Sequence, residues 1–293
     1  MDKNQKVKNM NDSEEINFHL HLVSDSTAET VSSVARASIA QFDGVEVEEH
    51  TWPLVRTKAQ VDKVLKGVRE KRGFVMYTMA DKHLRKHLKT NCEEMGVPCV
   101  SAIARMISSL SEFLDKKTTF HKPGRQHELD EDYFNRVEAI NFALTHDDGQ
   151  SVWDLEDADV VLIGASRTSK SPTSMYLAYR GFRAANVPYV SGVPLPDVVH
   201  KLKNPLVIGL TISPDVLVQI RKNRLLSINE NKATDYTDID KVKEELVEVR
   251  RIFTKNGWPV IDVTRRSVEE TTANIIQMYE KRKYLQEKEQ VSS

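Results

Sequence analysis

Short apolar segments alternate with helical segments along most of the chain, and this alternation restricts the fold more than any other feature. Strand-like segments occupy residues 17–23, 45–52, 74–78, 97–100, 159–163, 188–190, 206–210 and 258–263. Helical spacing of apolar residues lies between several of them, for example over 28–40 and 172–185. Strands that alternate with helices pair mostly in parallel and are covered by helices. We therefore predict an α/β fold with mostly parallel sheets and flanking helices.

The length of the chain and one glycine suggest a division into two domains. The 293 residues are 40% apolar, which is enough to bury a sizeable core. Gly149 follows a predicted helix over 131–145, and a glycine just past a helix ends it at little steric cost. We expect a disordered tail at 1–16, an N-terminal α/β domain at 17–149, a C-terminal domain at 150–285 and a frayed tail at 286–293.

The most specific local motif lies between the strand at 159–163 and the next helix. Its eight residues are Gly164, Ala165, Ser166, Arg167, Thr168, Ser169, Lys170 and Ser171. They match the phosphate-binding pattern G-x-x-x-x-G-K-[ST] except that Ser169 replaces the second glycine. Backbone N–H groups at a helix N-terminus attract anions, Lys170 adds a positive charge, and Ser171 can ligate magnesium. The sequence predicts a nucleotide-binding P-loop here, and a serine-rich turn that caps a helix is the alternative.

Charged side chains outside this loop carry less specific signals. Arg221 and Arg224 share one face of a predicted helix over 215–225, where they could contact phosphate or form a solvated basic face. Asp25 follows the first strand, at the sheet edge where ligands collect in α/β proteins. It could take a proton from a hydroxyl group, or it could cap the next helix.

The sequence indicates no resident metal site. The clusters at 127–130 and 146–149 contain histidine and aspartate, but a helix separates them by about 20 Å or more. Cys92 and Cys99 have neither zinc-ribbon nor redox spacing, and we interpret them as two small buried or half-buried thiols.

Composition argues against nucleic acid and membranes as partners. Lys and Arg number 42 against 43 Asp and Glu, so the cationic excess that binds a phosphate backbone is missing. No apolar run approaches the roughly 18 residues of a membrane helix, and the first 15 residues lack the apolar core of a secretory signal. We expect a cytoplasmic protein.

Several longer segments resemble one bacterial family. They are HLHLVSDSTAET at 19–30, H-x-LD-x-DYF at 127–134, HDDG at 146–149, G-x-SRTSKSPTS at 164–174 and GLTI-x-P at 209–214. In this order they are similar to the pyruvate, phosphate dikinase regulatory proteins, and the similarity runs from about residue 18 to 280. The family's nucleotide-binding loop corresponds to residues 164–171, where Ser171 stands in place of a common threonine.

The resemblance implies a bifunctional enzyme with a P-loop kinase-like C-terminal half. Such proteins use ADP to phosphorylate an active-site threonine of the dikinase, which inactivates it. They reactivate it with inorganic phosphate, which attacks the phosphothreonine and forms pyrophosphate. Lys170 would contact the transferred phosphoryl group, and Asp25 or the Asp147–Asp148 pair would accept the threonine proton.

Other functions stay open at this point. A sister family acts on phosphoenolpyruvate synthase and commonly has Cys-Gly where this chain has Thr168-Ser169, which favours the dikinase as the target. The loop by itself would also fit a P-loop kinase of small metabolites that uses ATP. A third hypothesis is a non-catalytic, ADP-gated binding protein whose segment 115–130 contacts a partner. A homodimer is compatible with a chain of this size and class.

Overall fold

A computed structural model describes residues 16–117, 131–227 and 235–291. The chain divides into two compact units between Glu128 and Leu129. Each unit has its own parallel sheet and its own core. The predicted α/β fold, with parallel sheets and flanking helices, is confirmed.

The first unit is built around a four-stranded parallel sheet in the order β2-β1-β3-β4. Its elements are β1 (Ile16–Ser24), α1 (Glu29–Ile39), β2 (Val45–Trp52), α2 (Lys58–Glu70), β3 (Gly73–Thr78), α3 (Lys82–Glu94), β4 (Cys99–Ser101) and α4 (Ala104–Phe113). Leu20 and Leu22 of β1 pack with residues of α1, whereas Val23 packs with residues of α2 and α3. Successive side chains of a strand point to opposite faces, so the sheet has helices on both sides.

The second unit repeats this strand order with β6-β5-β7-β8, again all parallel. Its elements are α5 (Glu131–Thr145), β5 (Val160–Ala165), α6 (Lys170–Tyr179), β6 (Ala184–Tyr189), β7 (Leu206–Thr211), α7 (Pro214–Ser227), α8 (Ile239–Asn256), β8 (Val260–Asp262) and α9 (Val268–Val291). Every residue of β5 and β7 is buried, as expected for central strands covered on both faces.

The predicted domain boundary after Gly149 is wrong. Helix α5 belongs to the second unit, because its Ala139 and Ala143 pack with Ala178 of α6. Gly149, at φ 79°, ends a short 3-10 helix over Asp147–Gly149 inside that unit. A glycine that ends a helix therefore marked a turn, not a linker between domains.

Several elements differ from the predictions in their bounds or were not predicted. The helix predicted to reach residue 185 ends at Tyr179, because Gly181 turns the chain at φ 88° and β6 begins at Ala184. Helices α4 and α8 had not been predicted. Residues 286–291, predicted as a frayed tail, continue α9, and residue 16, placed in the N-terminal tail, begins β1. Residues 1–15 lie outside the described part of the chain.

Candidate functional site

The loop at 164–171 lies at the place where a parallel α/β sheet usually holds its ligand. In the second unit the chain passes from β5 to β6 on one side and then crosses to β7 on the other side of β5. The crevice between the carboxyl ends of β5 and β7 is therefore a topological switch point. The loop continues directly from β5 into α6, so its position agrees with the prediction.

Close packing against β7 shapes the start of this loop. A Cβ atom on Gly164 would lie 2.6 Å from the Leu210 carbonyl oxygen and 2.7 Å from Thr168 Oγ1, so only glycine fits there. The Thr168 hydroxyl donates a hydrogen bond of 2.9 Å to the Ala165 carbonyl, which closes the turn. Arg167 and Ser169 adopt φ angles of 73° and 60°. Ser169 thus takes the left-handed conformation that the missing glycine would adopt more readily.

Lys170 places its ammonium inside the loop. The side chain is buried, and Nζ donates a hydrogen bond of 2.9 Å to the Ala165 carbonyl. Burial lowers the pKa of Lys170 from its usual 10.5 to about 8, although the carboxylates of Asp148 and Asp147 oppose this shift. The lysine is therefore mostly charged at neutral pH and loses its charge under mildly alkaline conditions.

The N-terminus of α6 adds backbone donors next to this charge. The helix begins at Lys170, and its N-cap, Ser169, makes no capping hydrogen bond with its side chain. The N–H groups of Lys170 and Ser171 belong to the first turn of the helix, where no carbonyl precedes them to accept a bond. Pro172, in the same turn, has no N–H to satisfy. This end of α6 can therefore bind an anion with backbone donors and with the positive end of the helix dipole.

Asn186 of β6 connects the predicted aspartates to the loop. Its Nδ2 donates to Asp147 Oδ1 and to Ser171 Oγ, the latter at 3.3 Å. Its Oδ1 accepts a bond of 3.1 Å from the Asp148 backbone N–H. The structure thus brings Asp147 together with the loop. Asn186 was not predicted as a site residue, because it lies between the helix predicted over 172–185 and the strand predicted over 188–190, and the start of β6 at Ala184 was not recognised.

Arg221 contacts the loop through its buried guanidinium group. Its guanidinium makes two hydrogen bonds to the Glu245 carboxylate, of 2.8 and 3.0 Å, and donates at 3.2 Å to the Ser166 carbonyl. It also lies 4.4 Å from the centre of the Tyr236 ring. Arg221 is 2% exposed, whereas Arg224 is exposed, so the two arginines do not form a common basic surface. Glu245 lies on α8, which had not been predicted, and no sequence signal pointed to it.

Asp25 belongs to the first unit, at the corresponding switch point between β1 and β3. Its Oδ2 accepts a hydrogen bond of 2.5 Å from the Ala80 backbone N–H. The alternative that Asp25 caps α1 is wrong, because the N-cap is Ala28, which makes no side-chain capping bond. Through this bond Asp25 connects the loop that follows β1 to the loop that follows β3.

The other residues that the sequence singled out are the histidine and aspartate clusters and the two cysteines. The cluster at 127–130 and most of the segment 115–130 lie outside the described residues. His146 is buried, stacks on Phe142 and bonds to Asp154 at 2.7 Å. Cys92 is buried and Cys99 half-buried, both as free thiols, which confirms their interpretation. Across the described ranges, none of the helices combines the length and apolar character needed to cross a lipid bilayer.

Comparison with known proteins identifies relatives along nearly the whole chain. Provisionally named pyruvate, phosphate dikinase regulatory proteins from Maricaulis maris and Paramagnetospirillum magneticum are 52% and 51% identical to it. These similarities cover 89% and 90% of this chain and 93% and 85% of the relatives. A periplasmic ribose ABC transporter structure from Conexibacter woesei matches at 13% identity over 73% of this chain and 62% of that one. Its TM-score of 0.24 is too low to bear on the fold.

The model of one protein family matches residues 20–276 and therefore spans both units. Its description is kinase/pyrophosphorylase. The match includes Asp25, Asp147, the complete loop at 164–171 and Arg221. The chain belongs to the kinase/pyrophosphorylase family.

Proposed function

We propose that this protein is a bifunctional regulator of pyruvate, phosphate dikinase. In one direction it phosphorylates an active-site threonine of the dikinase with ADP as donor, and in the other it removes that phosphate with inorganic phosphate. The family description names a kinase and a pyrophosphorylase, and relatives about 50% identical to the chain are named for regulation of this dikinase. The proposal extends both descriptions to this chain.

The position of Lys170 carries the proposal. Its buried ammonium lies next to the open N-terminus of α6, so one loop offers both a cation and backbone donors to a phosphate group. An ADP β-phosphate and a free phosphate present similar oxygens, and the same loop can bind either of them. Phosphoryl transfer depends mainly on positioning and electrostatic stabilisation, which these groups provide.

Both reactions balance without a further reactant. In the kinase direction the threonine oxygen forms a bond to the β-phosphorus of ADP, the bond between the α- and β-phosphates breaks, and AMP leaves. In the reverse direction an oxygen of inorganic phosphate attacks the phosphothreonine, and pyrophosphate and the threonine hydroxyl are formed. The threonine proton must move to a base in the first reaction and return in the second.

Asp147 is our candidate for that base. It shares the Asn186 amide with Ser171 and acts electrostatically on Lys170, so it belongs to the surroundings of the loop. Asp25 remains the second candidate, and it lies in the other unit. Single Asp147→Asn and Asp25→Asn variants keep the shape of each side chain and remove its basicity. The variant that loses phosphate transfer while it still binds ADP identifies the base.

The chemistry of the loop also fits a magnesium ion. The Ser171 hydroxyl and an Asp147 carboxylate oxygen contact the same Asn186 amide, and both are the hard oxygen ligands that Mg²⁺ prefers. Bound there with the nucleotide, the ion would neutralise phosphate charge. The residues of the chain would still orient the phosphate through Lys170 and the first turn of α6.

The decisive experiment combines purified protein, purified dikinase and ADP, with mass spectrometry of the dikinase threonines. We expect a phosphothreonine that depends on ADP, is absent with ATP alone, and disappears on addition of phosphate with release of pyrophosphate. Lys170→Met should abolish the mark, whereas Lys222→Met, which changes an exposed lysine of α7, should not.

Each other outcome contradicts the proposal in a different way. A mark on phosphoenolpyruvate synthase but not on the dikinase would change the target. Inhibition of the dikinase by a stoichiometric complex without a covalent mark would indicate a binding protein. Transfer from ATP to a small metabolite would indicate a metabolite kinase.

A further inference from the structure

Two histidines and a glutamate converge on one face of the first sheet, away from the P-loop unit. In the parallel register of β1 and β2, His19 is opposite Glu48 and His21 is opposite His50. These side chains therefore point to the same face. His19 Nδ1, His50 Nε2 and a Glu48 carboxylate oxygen all lie within 4.8 Å of one another.

The two ring nitrogens lie at the ligand spacing of a tetrahedral metal ion, and each of them lies at a similar distance from one oxygen of the Glu48 carboxylate. His50 Nε2 lies 3.2 Å from His19 Nδ1. His19 Nδ1 lies 3.4 Å from Glu48 Oε2, and His50 Nε2 lies 3.6 Å from Oε1 of the same carboxylate. Zinc bonds of about 2.0–2.2 Å in tetrahedral geometry separate neighbouring ligand atoms by about 3.3–3.6 Å. The two carboxylate contacts involve different oxygens, so an ion between the three groups requires a rotation of the Glu48 carboxyl group that brings one oxygen close to both nitrogens.

We propose that His19, Glu48 and His50 form a binding site for a Zn²⁺-class transition metal ion. Two imidazole nitrogens and one carboxylate oxygen are a common ligand set for zinc with an open fourth position. The side chains are 33%, 55% and 18% exposed for His19, Glu48 and His50, so water can complete the coordination. A surface hollow of about 440 Å³, lined in part by His19 and Glu48, opens the site to ions from solution.

The third histidine of the face, His21, uses its ring nitrogens for hydrogen bonds within the protein. Its ring Nε2 bonds to the Lys71 carbonyl at 2.8 Å, and its Nδ1 accepts a bond of 3.2 Å from the Trp52 indole N–H. Both ring nitrogens are thus in use, and the ring packs 4.8 Å from that of His50. His21 therefore packs against the proposed ligand His50 and is not itself a proposed ligand.

The positive charge of Lys71 opposes the binding of a metal ion, but Lys71 contacts only one of the two Glu48 oxygens. Its ammonium contacts Glu48 Oε1, so Oε2 stays directed at His19.

The place of the cluster in the sheet indicates a structural role. The Trp52 ring packs against Gly67 of α2, and the helix ends at Glu70. Among the strands of the described residues, β2 lies at the edge of its sheet and pairs with β1 alone. A metal bound by residues of both strands would hold this edge strand in register, independently of the loop chemistry in the other unit.

The test uses full-length protein without a histidine tag, freed of metals with a chelator. We expect titration with Zn²⁺ to give one saturable site per chain and to raise the melting temperature. Glu48→Gln, which keeps the size of an exposed side chain, should lower the affinity for Zn²⁺ at least tenfold, and so should His50→Ala. His83→Ala removes an exposed histidine of the same unit and should leave the affinity unchanged.

A second probe reports the geometry directly. Co²⁺ in a tetrahedral site absorbs visible light strongly, and Glu48→Gln should remove that absorption even if His50→Ala fails to fold. The proposal fails if the wild-type protein shows no saturable Zn²⁺ site. It also fails if Glu48→Gln binds zinc like the wild type, or if the affinity is lost in a Cys99→Ser variant instead.

Discussion

At the scale of single residues, Lys170 is the group whose charge controls the proposed chemistry. Its pKa of about 8 results from burial, and the charged form exists below that pH. We predict that the affinity for ADP is nearly constant from pH 6.5 to 7.5 and then falls by up to about tenfold per pH unit above pH 8, because deprotonation removes the ammonium. Calorimetric titration at several pH values measures this dependence.

The Lys170→Met variant provides the control for this prediction. It has no titrating group in the loop, so its residual affinity for ADP should show no fall above pH 8. An affinity of the wild-type protein that stays constant up to pH 9.5 would contradict the assignment of Lys170 as the phosphate-binding cation.

The residues of the loop were predictable to different degrees. Lys170 and Ser171 follow from the motif and its place between strand and helix. The positive φ of Ser169 follows from its replacement of a glycine, and the structure has φ at 60°. Asn186 and Glu245 could not be predicted, because they reach the loop region from elements 15 or more residues away in the chain. A local pattern contains no information about such contacts.

At the scale of secondary structure elements, one buried ion pair joins α7 to α8. Arg221 and Glu245 have side chains 2% and 13% exposed, and the arginine also contacts the Ser166 carbonyl of the loop. We predict that Glu245→Ala lowers the free energy of unfolding by about 3–5 kcal/mol, because it leaves a buried guanidinium without its counter-charge. Urea denaturation measures this change, and the affinity for ADP should fall as the loop loses its support.

A neighbouring residue of α8 supplies the matched comparison. Glu244 forms an exposed pair with Lys241 at 3.1 Å, and exposed pairs contribute little to stability. Glu244→Ala should therefore unfold at nearly the same urea concentration as the wild type. Equal effects of the two substitutions would show that the buried Arg221–Glu245 pair contributes no more to the free energy of unfolding than an exposed pair.

The prediction of helices and strands was most accurate where the apolar periodicity was strong and where capping or turn residues marked the ends of an element. The sequence S-V-E-E at 267–270 has the spacing of a capping box, and the structure forms one there at the start of α9, with both of its hydrogen bonds at 3.1 Å. The helix after the loop was extended to residue 185, because residues 184 and 185 are alanines, which favour helices but here lie in the buried strand β6. Tertiary burial decided their conformation, and propensity did not.

At the scale of the whole molecule, the two units have the same strand order and separate cores. Among the described residues, Asn186, Arg221 and Tyr236 form side-chain hydrogen bonds to the loop from outside α6, and all three belong to the second unit. We predict that a fragment of residues 129–293 folds cooperatively and binds ADP with an affinity within a few-fold of the full chain. Circular dichroism and calorimetry measure these two properties. A folded fragment without ADP affinity would show that the first unit contributes to the nucleotide site.

The hydrogen bond between Lys170 and the Ala165 carbonyl has a consequence for how the loop receives its ligands. The ammonium has three N–H donors, and this bond uses one of them, which leaves two for a phosphate group. The carbonyl thus holds the cation in place before a ligand arrives, so less side-chain freedom is lost on binding. ADP and inorganic phosphate meet the same preorganised charge, and the bond favours neither of them over the other.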